Sequence, residues 1–154
     1  MSDNSSLEYV THIQATPEQV WRALTDPGMT AQYWGTTLDT DWRAGSPMAW
    51  EQLGVRIEDP AQVVLESDPH RRLSYTWHTF TPEFATSVGL DQELAARLAA
   101  ERRTKVSFDL EPQGNTVKLT LLHDDFDQAG VLHGMCSEAW PQILAGLKTL
   151  VEKS

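Results

Sequence analysis

The chain has 154 residues, 40% of them hydrophobic and 22% charged, with a net charge of −10 at pH 7. A chain this long reads as one globular domain over 1–154, and folding takes roughly two-thirds of its surface out of water without help from a metal or disulfide. The acidic balance excludes nucleic acid, whose phosphates demand clustered Lys and Arg, and argues against an anionic membrane surface. Cys136 is the lone cysteine, so an internal disulfide is impossible and a reducing compartment is expected. Met1–Tyr9 has neither the basic nor the apolar part of a signal peptide, and no apolar run approaches the ~18 residues of a membrane span. These features point to a cytoplasmic protein.

Met1–Ser6 reads as a polar tail. Leu7–Gln14 follows as a strand, with Leu7, Tyr9, Thr11 and Ile13 on one face and Glu8 and His12 on the other. Thr16-Pro17-Glu18-Gln19 starts a helix: Thr16 caps, Pro17 suits the first helical position and Gln19 completes a capping box. Val20, Trp21 and Leu24 form its apolar face, and Asp26-Pro27-Gly28 stops it. Thr30–Trp34 adds one more turn before Gly35.

Leu38–Trp42 and Pro47–Gln52 read as a hairpin across Arg43-Ala44-Gly45-Ser46, with Leu38, Thr40, Trp42, Met48 and Trp50 inward. Val55–Ile57 either extends it or forms the next turn. Ala61–Ser67 is a strand, and Arg71–Phe80 another, with Leu73, Tyr75 and Trp77 facing in and Ser74, Thr76 and His78 facing out. Thr81–Arg103 interrupts the strands. Within it, Asp91–Arg102 is helical on propensity, anchored by Leu94 and Leu98. The insertion either covers an opening or pads the sheet edge. Thr104–Glu111 and Val117–His123 pair across Pro112-Gln113-Gly114-Asn115, and Asp124–Gly130 leads into a last helix, His133–Ser154. There Trp140, Ile143, Leu144, Leu147, Leu150 and Val151 recur at spacings of three and four, the period of one apolar helix face. Pro141 inside that stripe predicts a kink or a separate first turn. Antiparallel strands closed by a helix predict an α+β domain with helices on one sheet face.

Two stretches carry a family resemblance. Ile13–Gly35, IQATPEQVWRALTDPGMTAQYWG, has an Ala-x-Pro-Glu-x-Val-Trp-x-Ala-Leu-Thr-Asp-Pro pattern followed by aromatic-Trp-Gly. Gly134–Glu152, GMCSEAWPQILAGLKTLVE, has a Trp-Pro-x-Ile-Leu-x-x-Leu-Lys pattern. Both resemble bacterial proteins similar to the activator of the 90-kDa heat-shock-protein ATPase, within the START-like (SRPBCC) superfamily. The resemblance implies a helix-grip fold: a curved antiparallel sheet round a long C-terminal helix, two short helices after the first strand and a helical insertion between late strands. Superfamily members hold apolar or aromatic small molecules between helix and sheet. Some are cyclases, dehydratases or hydrolases, and the eukaryotic namesakes are co-chaperones with a further N-terminal domain, which this chain is expected to lack. The motif residues are mainly packing residues, so they carry the fold rather than an activity.

Six tryptophans come from different elements. Trp21 is assigned to helix packing, and most of Trp34, Trp42, Trp50, Trp77 and Trp140 are expected to point inward. They make either an ordinary core or an aromatic-lined pocket. The candidate wall is Trp34, Met48, Trp50, Tyr75, Trp77, His123 and Trp140. His123 shares the inward parity of Val117, Leu119 and Leu121; it either orients a ligand or acts as a base, or, the favoured reading, bonds structurally at a strand end. His123-Asp124-Asp125-Phe126-Asp127 has no known metal-ligand spacing, even with His133 added, and neighbouring strand residues face opposite ways. Cys136, with His133 three residues before it, could be an activated thiol at a helix start, though a buried inert thiol is the commoner outcome. No cofactor-binding fingerprint or nucleophile elbow is present. The leading expectation is a binder of an apolar or aromatic small molecule, without cofactor. The alternatives are an enzyme using His123 and Tyr75, and a chaperone-binding module; a homodimer through a sheet edge is compatible with each.

Overall fold

The computed structural model describes residues 4–127 and 130–153. Met1–Asp3 of the expected tail, Gln128 and Ala129 of the last connection and Ser154 of the last helix lie outside the described residues. The first strand, β1 (Asn4–Ile13), starts earlier than its alternation suggested. The helix α1 (Pro17–Thr25) has the capping box in full: the Gln19 amide donates to Thr16 Oγ1 at 3.2 Å, and the Thr16 amide to Gln19 Oε1 at 2.9 Å. Asp26-Pro27-Gly28 ends α1 and also begins α2 (Pro27–Trp34). The Asp26 carboxylate accepts the Gly28 amide at 2.8 Å, and Pro27 needs no amide partner at the first position. The stop signal is thus a restart, and α2 starts three residues earlier than expected.

The strands are β2 (Thr36–Asp39), β3 (Ala49–Gln52), β4 (Val55–Ile57), β5 (Val64–Asp68), β6 (Arg72–Thr76), β7 (Lys105–Gln113) and β8 (Thr116–Asp127). They form an antiparallel set β1-β8-β7-β6-β5 and a smaller set β2-β3-β4. A Pro47–Val63 bridge, with the Met48 amide on the Gln62 carbonyl at 2.9 Å, joins the two into one curved surface. The Leu38–Gln52 hairpin is shorter than expected: β2 stops at Asp39, and Trp42 takes a left-handed φ of 59° so that its indole N–H donates to the Thr25 carbonyl.

The insertion holds α3 (Pro82–Ser87) as well as α4 (Gln92–Ala100). The unexpected α3 starts on Thr81-Pro82-Glu83, the signature that starts α1 on Thr16-Pro17-Glu18. The last helix, α5 (Val131–Lys153), packs on β1 and β8 and against α1, α2 and α4. Its first amides, Val131 and Leu132, donate to the Glu101 carboxylate at 2.8 and 3.4 Å, so the end of the insertion caps the helix the sheet grips. Gly130 leaves room for that carboxylate, which a Cβ there would meet. The result is the expected helix-grip arrangement. Among the described residues no helix is long and apolar enough to cross a membrane.

Pro141 lies inside α5 as one continuous helix, not between two turns. Lacking an N–H, it leaves the Ser137 carbonyl without its helical donor. The Tyr9 hydroxyl of β1 donates to that carbonyl at 3.4 Å. The Trp-Pro step thereby turns a missing helix bond into a helix-to-strand bond. Tyr9→Phe should cost about 0.5–1 kcal/mol, and less in a Pro141→Ala background, where the helix supplies its own donor. Denaturant midpoints of the two single variants and the double variant measure that coupling.

Candidate functional site

Beneath α5 lies a cavity of about 210 Å³. From α5, Leu132, Met135, Cys136, Ala139, Trp140 and Ile143 line it, at the spacing of one helix face. Trp34 enters from the end of α2, and Gln52 from β3. Trp77, His78 and Phe80 come from the segment after β6, Phe84 from α3 and Val88 from the residue that caps its C-terminus. Phe84 and Val88, four residues apart, show that the insertion closes one side of this cavity rather than only padding a sheet edge. The wall is aromatic: Trp34 lies 5.9 Å from Trp77 and 5.6 Å from Trp140, ring centre to ring centre.

Of the seven residues proposed from sequence, the structure brings Trp34, Trp77 and Trp140 to the wall. Trp50 and Tyr75 are buried one layer behind it. Trp50 packs 4.9 Å from Trp77, and Tyr75 lies 5.9 Å from Trp50. Met48, also buried, borders a separate surface groove with Pro47 and Arg56. His123 is fully buried. Parity gave all of these an inward direction, but it carries no information on depth.

His78, expected outside, is a second correction. The strand β6 ends at Thr76, so two-residue alternation no longer applies, and the ring turns in among Trp50, Phe80 and Phe84 at 4.7–4.9 Å. Its Nδ1 lies 2.9 Å from the Thr79 carbonyl, which can only accept, so Nδ1 carries the proton. Burial, and then the Arg103 charge, hold the ring neutral with its pKa lowered to about 4.

His123 has the opposite tautomer. The Trp140 indole N–H donates to Nδ1 at 3.0 Å, so Nε2 carries the proton and donates to Thr104 Oγ1 at 2.8 Å. Burial, and then repulsion from His133, lower its pKa to about 3. With both nitrogens engaged inside the core, His123 has the structural role. Its position depends on a bulge: β8 spends three residues from His123 to Phe126 where β1 spends two from Leu7 to Ser5, and Asp125 takes a φ of 71°. Both His123 and Phe126 therefore face in, their rings 4.3 Å apart.

Cys136 is not activated. The helix-start amides that would stabilise a thiolate are occupied by Glu101, and burial, then that carboxylate, push the thiol up to about 12. Two of the acids after His123 face basic groups: Asp125 lies 3.9 Å from Lys105, and Asp127 lies 3.8 Å from the Arg102 guanidinium. No cluster of three metal-ligating side chains occurs among the described residues.

The family model for Activator of Hsp90 ATPase homolog 1-like proteins matches residues 14–152. The chain belongs to this family. Among solved structures it is similar to protein MLL2253 from Mesorhizobium loti, with a TM-score of 0.76, 22% identity and coverage of 97% of this chain and 98% of that one. It is similar to CV1439 from Chromobacterium violaceum, with a TM-score of 0.64, 22% identity and coverage of 96% and 97%. It is also similar to a protein solved as the Aha1 dimer from Colwellia psychrerythraea, with a TM-score of 0.69, 19% identity and 96% of each chain covered. No curated protein matches the chain. At these identities the solved members share the fold, and the site has to be read from this chain's own residues.

The two buried histidines make stability depend on acid. Unfolded, each titrates near 6.5; folded, near 3 and 4. The unfolded chain therefore binds more protons below pH 6.5, and stability present above that value drains away as pH falls toward the folded values, by up to about 1.4 kcal/mol per pH unit per ring. The unfolding midpoint should drop between pH 7 and 5. His123→Gln should lower stability at pH 7 and make the decline shallower, which urea titrations at both pH values measure.

Proposed function

We propose that the chain binds a small apolar or aromatic molecule between α5 and the curved sheet. The observation that carries this reading is the cavity walled by Trp34, Trp77 and Trp140 and covered by α3. Aromatic rings with a few convergent polar groups are what ligand sites are made of, and here the polar groups are Gln52 and His78. Its volume lies under the roughly 300–1,000 Å³ of drug-sized pockets, which favours ligands of one or two rings. An enzyme working through His123 and Tyr75 has less support, because neither side chain lines the cavity. The lone buried Cys136 suits a reducing compartment such as the cytoplasm.

A co-chaperone-like role is supported by the family match and by the Colwellia relative, whose description also motivates a homodimer here. Its own test is a change in the ATPase rate of a bacterial 90-kDa chaperone on adding this protein, with sedimentation for the dimer.

The ligand reading is tested by thermal unfolding against a panel of one- and two-ring aromatics. A ligand at 100 times its dissociation constant adds about 2.7 kcal/mol, a rise of roughly 5–10 °C in a domain of this size. Ala139 is exposed on α5 and lines the cavity. Ala139→Trp should fill the space and abolish the shift while leaving the unliganded midpoint near that of the wild type. A shift that survives Ala139→Trp would remove the ligand from this cavity.

A further inference from the structure

The strand β1 is outermost in the larger sheet, with β8 on one side only. The register fixes which of its backbone groups face β8. The Leu110 amide donates to the Arg71 carbonyl at 2.8 Å, so the even residues of β7 bond toward β6 and the odd ones toward β8. Ser107 stands opposite Leu122, and Leu121 opposite Tyr9. Leu7, Tyr9, Thr11 and Ile13 therefore bond to β8, while the amides and carbonyls of Glu8, Val10 and His12 point away from the sheet. Two contacts at the end of the strand agree: Lys148 Nζ donates to the His12 carbonyl, and the Gln14 amide to the Glu152 carboxylate, both at 2.8 Å. Side chains of α5 thus occupy that end of the edge. No described residue bonds the outward amides and carbonyls of Glu8 and Val10.

An open edge is a template for another strand, and folds usually blunt it. Here β5 carries a bulge between Val64 and Glu66, and β2 and β4 have only four and three residues. By contrast β1 has ten residues, runs regularly from Leu7 to Ile13 and contains neither Pro nor Gly. Val10, in the middle of its open stretch, is 50% exposed. The charges around Val10 specify what fits. Glu8 lies on one side of it and His12 on the other, with Lys118 of β8 and Lys148 of α5 beside His12. An antiparallel copy of the same strand reverses that order, so acid meets base at both ends. We infer that β1 pairs with β1 of a second copy of this chain, about a two-fold axis at Val10. Val10 packs on the partner's Val10, Glu8 faces the partner's His12, and the two five-stranded sheets run into one. An axis at Glu8 would oppose two carboxylates, and one midway between Glu8 and Val10 would set Val10 against the partner's Glu8. An axis beyond Val10 would need the Gln14 amide, which Glu152 already holds. The inference rests on the homodimer reading above and locates its interface; the ligand cavity is not involved.

Sedimentation velocity over a concentration series, with amide hydrogen exchange on the same samples, tests it. The wild type should be a dimer in which the Glu8 and Val10 amides are protected as well as those of Tyr9 and Thr11. Val10→Lys sets two ammonium groups against each other on the axis. It should raise the dimer dissociation constant at least about tenfold and open both amides to exchange, with the circular dichroism spectrum unchanged. Glu8→Lys or His12→Glu alone should weaken the dimer by about tenfold, and the double reversal should restore it, which a merely local loss of strand stability would not do. A dimer that survives Val10→Lys, with the Glu8 and Val10 amides exchanging freely, would overturn the inference and leave a homodimer built elsewhere. A double reversal that stays monomeric would overturn the axis at Val10. A monomeric wild type would overturn the homodimer as well, and leave the edge to an extended segment of another protein. The wild-type exchange pattern decides between these outcomes even if a variant does not fold.

Discussion

The structure depends on a short polar chain in its interior: the Trp140 indole on His123 Nδ1, and His123 Nε2 on Thr104. The three residues come from α5, from β8 and from the position just before β7, so the chain pins the helix to the middle of the sheet. Each member is buried, and losing one would strand a partner at about 1–3 kcal/mol. Hydrophobic packing alone would let a long apolar helix slide or rotate over a curved sheet. Two directed bonds fix one rotation, and Pro141 adds a third through Tyr9 and the freed Ser137 carbonyl. That rotation decides which α5 residues face the cavity, so the site inherits its geometry from a contact of which only Trp140 belongs to its wall.

The frame was legible in the sequence because local and tertiary signals agree there. Thr16 and Gln19 form the capping box their types announce, and Val117, Leu119 and Leu121 are buried as their alternation requires. The buried stripe of α5, from Trp140 through Leu144 and Leu147 to Val151, follows the helical period. The family patterns lie on these same packing residues, which is why they resolve the fold and say little of the chemistry.

The site was less legible, for physical reasons. Parity says in or out only while a strand lasts, and His78 sits past the end of β6. It also ignores depth: Trp50 and Trp77 both face in, yet only Trp77 reaches the cavity. The α3 contribution was within reach, since Thr81-Pro82-Glu83 repeats the start of α1, but the stronger Ala/Leu propensity of 91–102 drew the helix assignment to α4. The bulge at Asp125 had no sequence marker. A non-glycine residue in the left-handed region is set by what it lets Phe126 and His123 do together, not by its own preference.

The account turns on two neutral histidines with opposite tautomers, one locking the helix and one lining the cavity. Ring nitrogen chemical shifts of selectively ¹⁵N-histidine-labelled protein at pH 5.5 read both directly. The prediction is a neutral His123 protonated on Nε2 and a neutral His78 protonated on Nδ1. An imidazolium at either buried position, or His78 protonated on Nε2, would contradict the account.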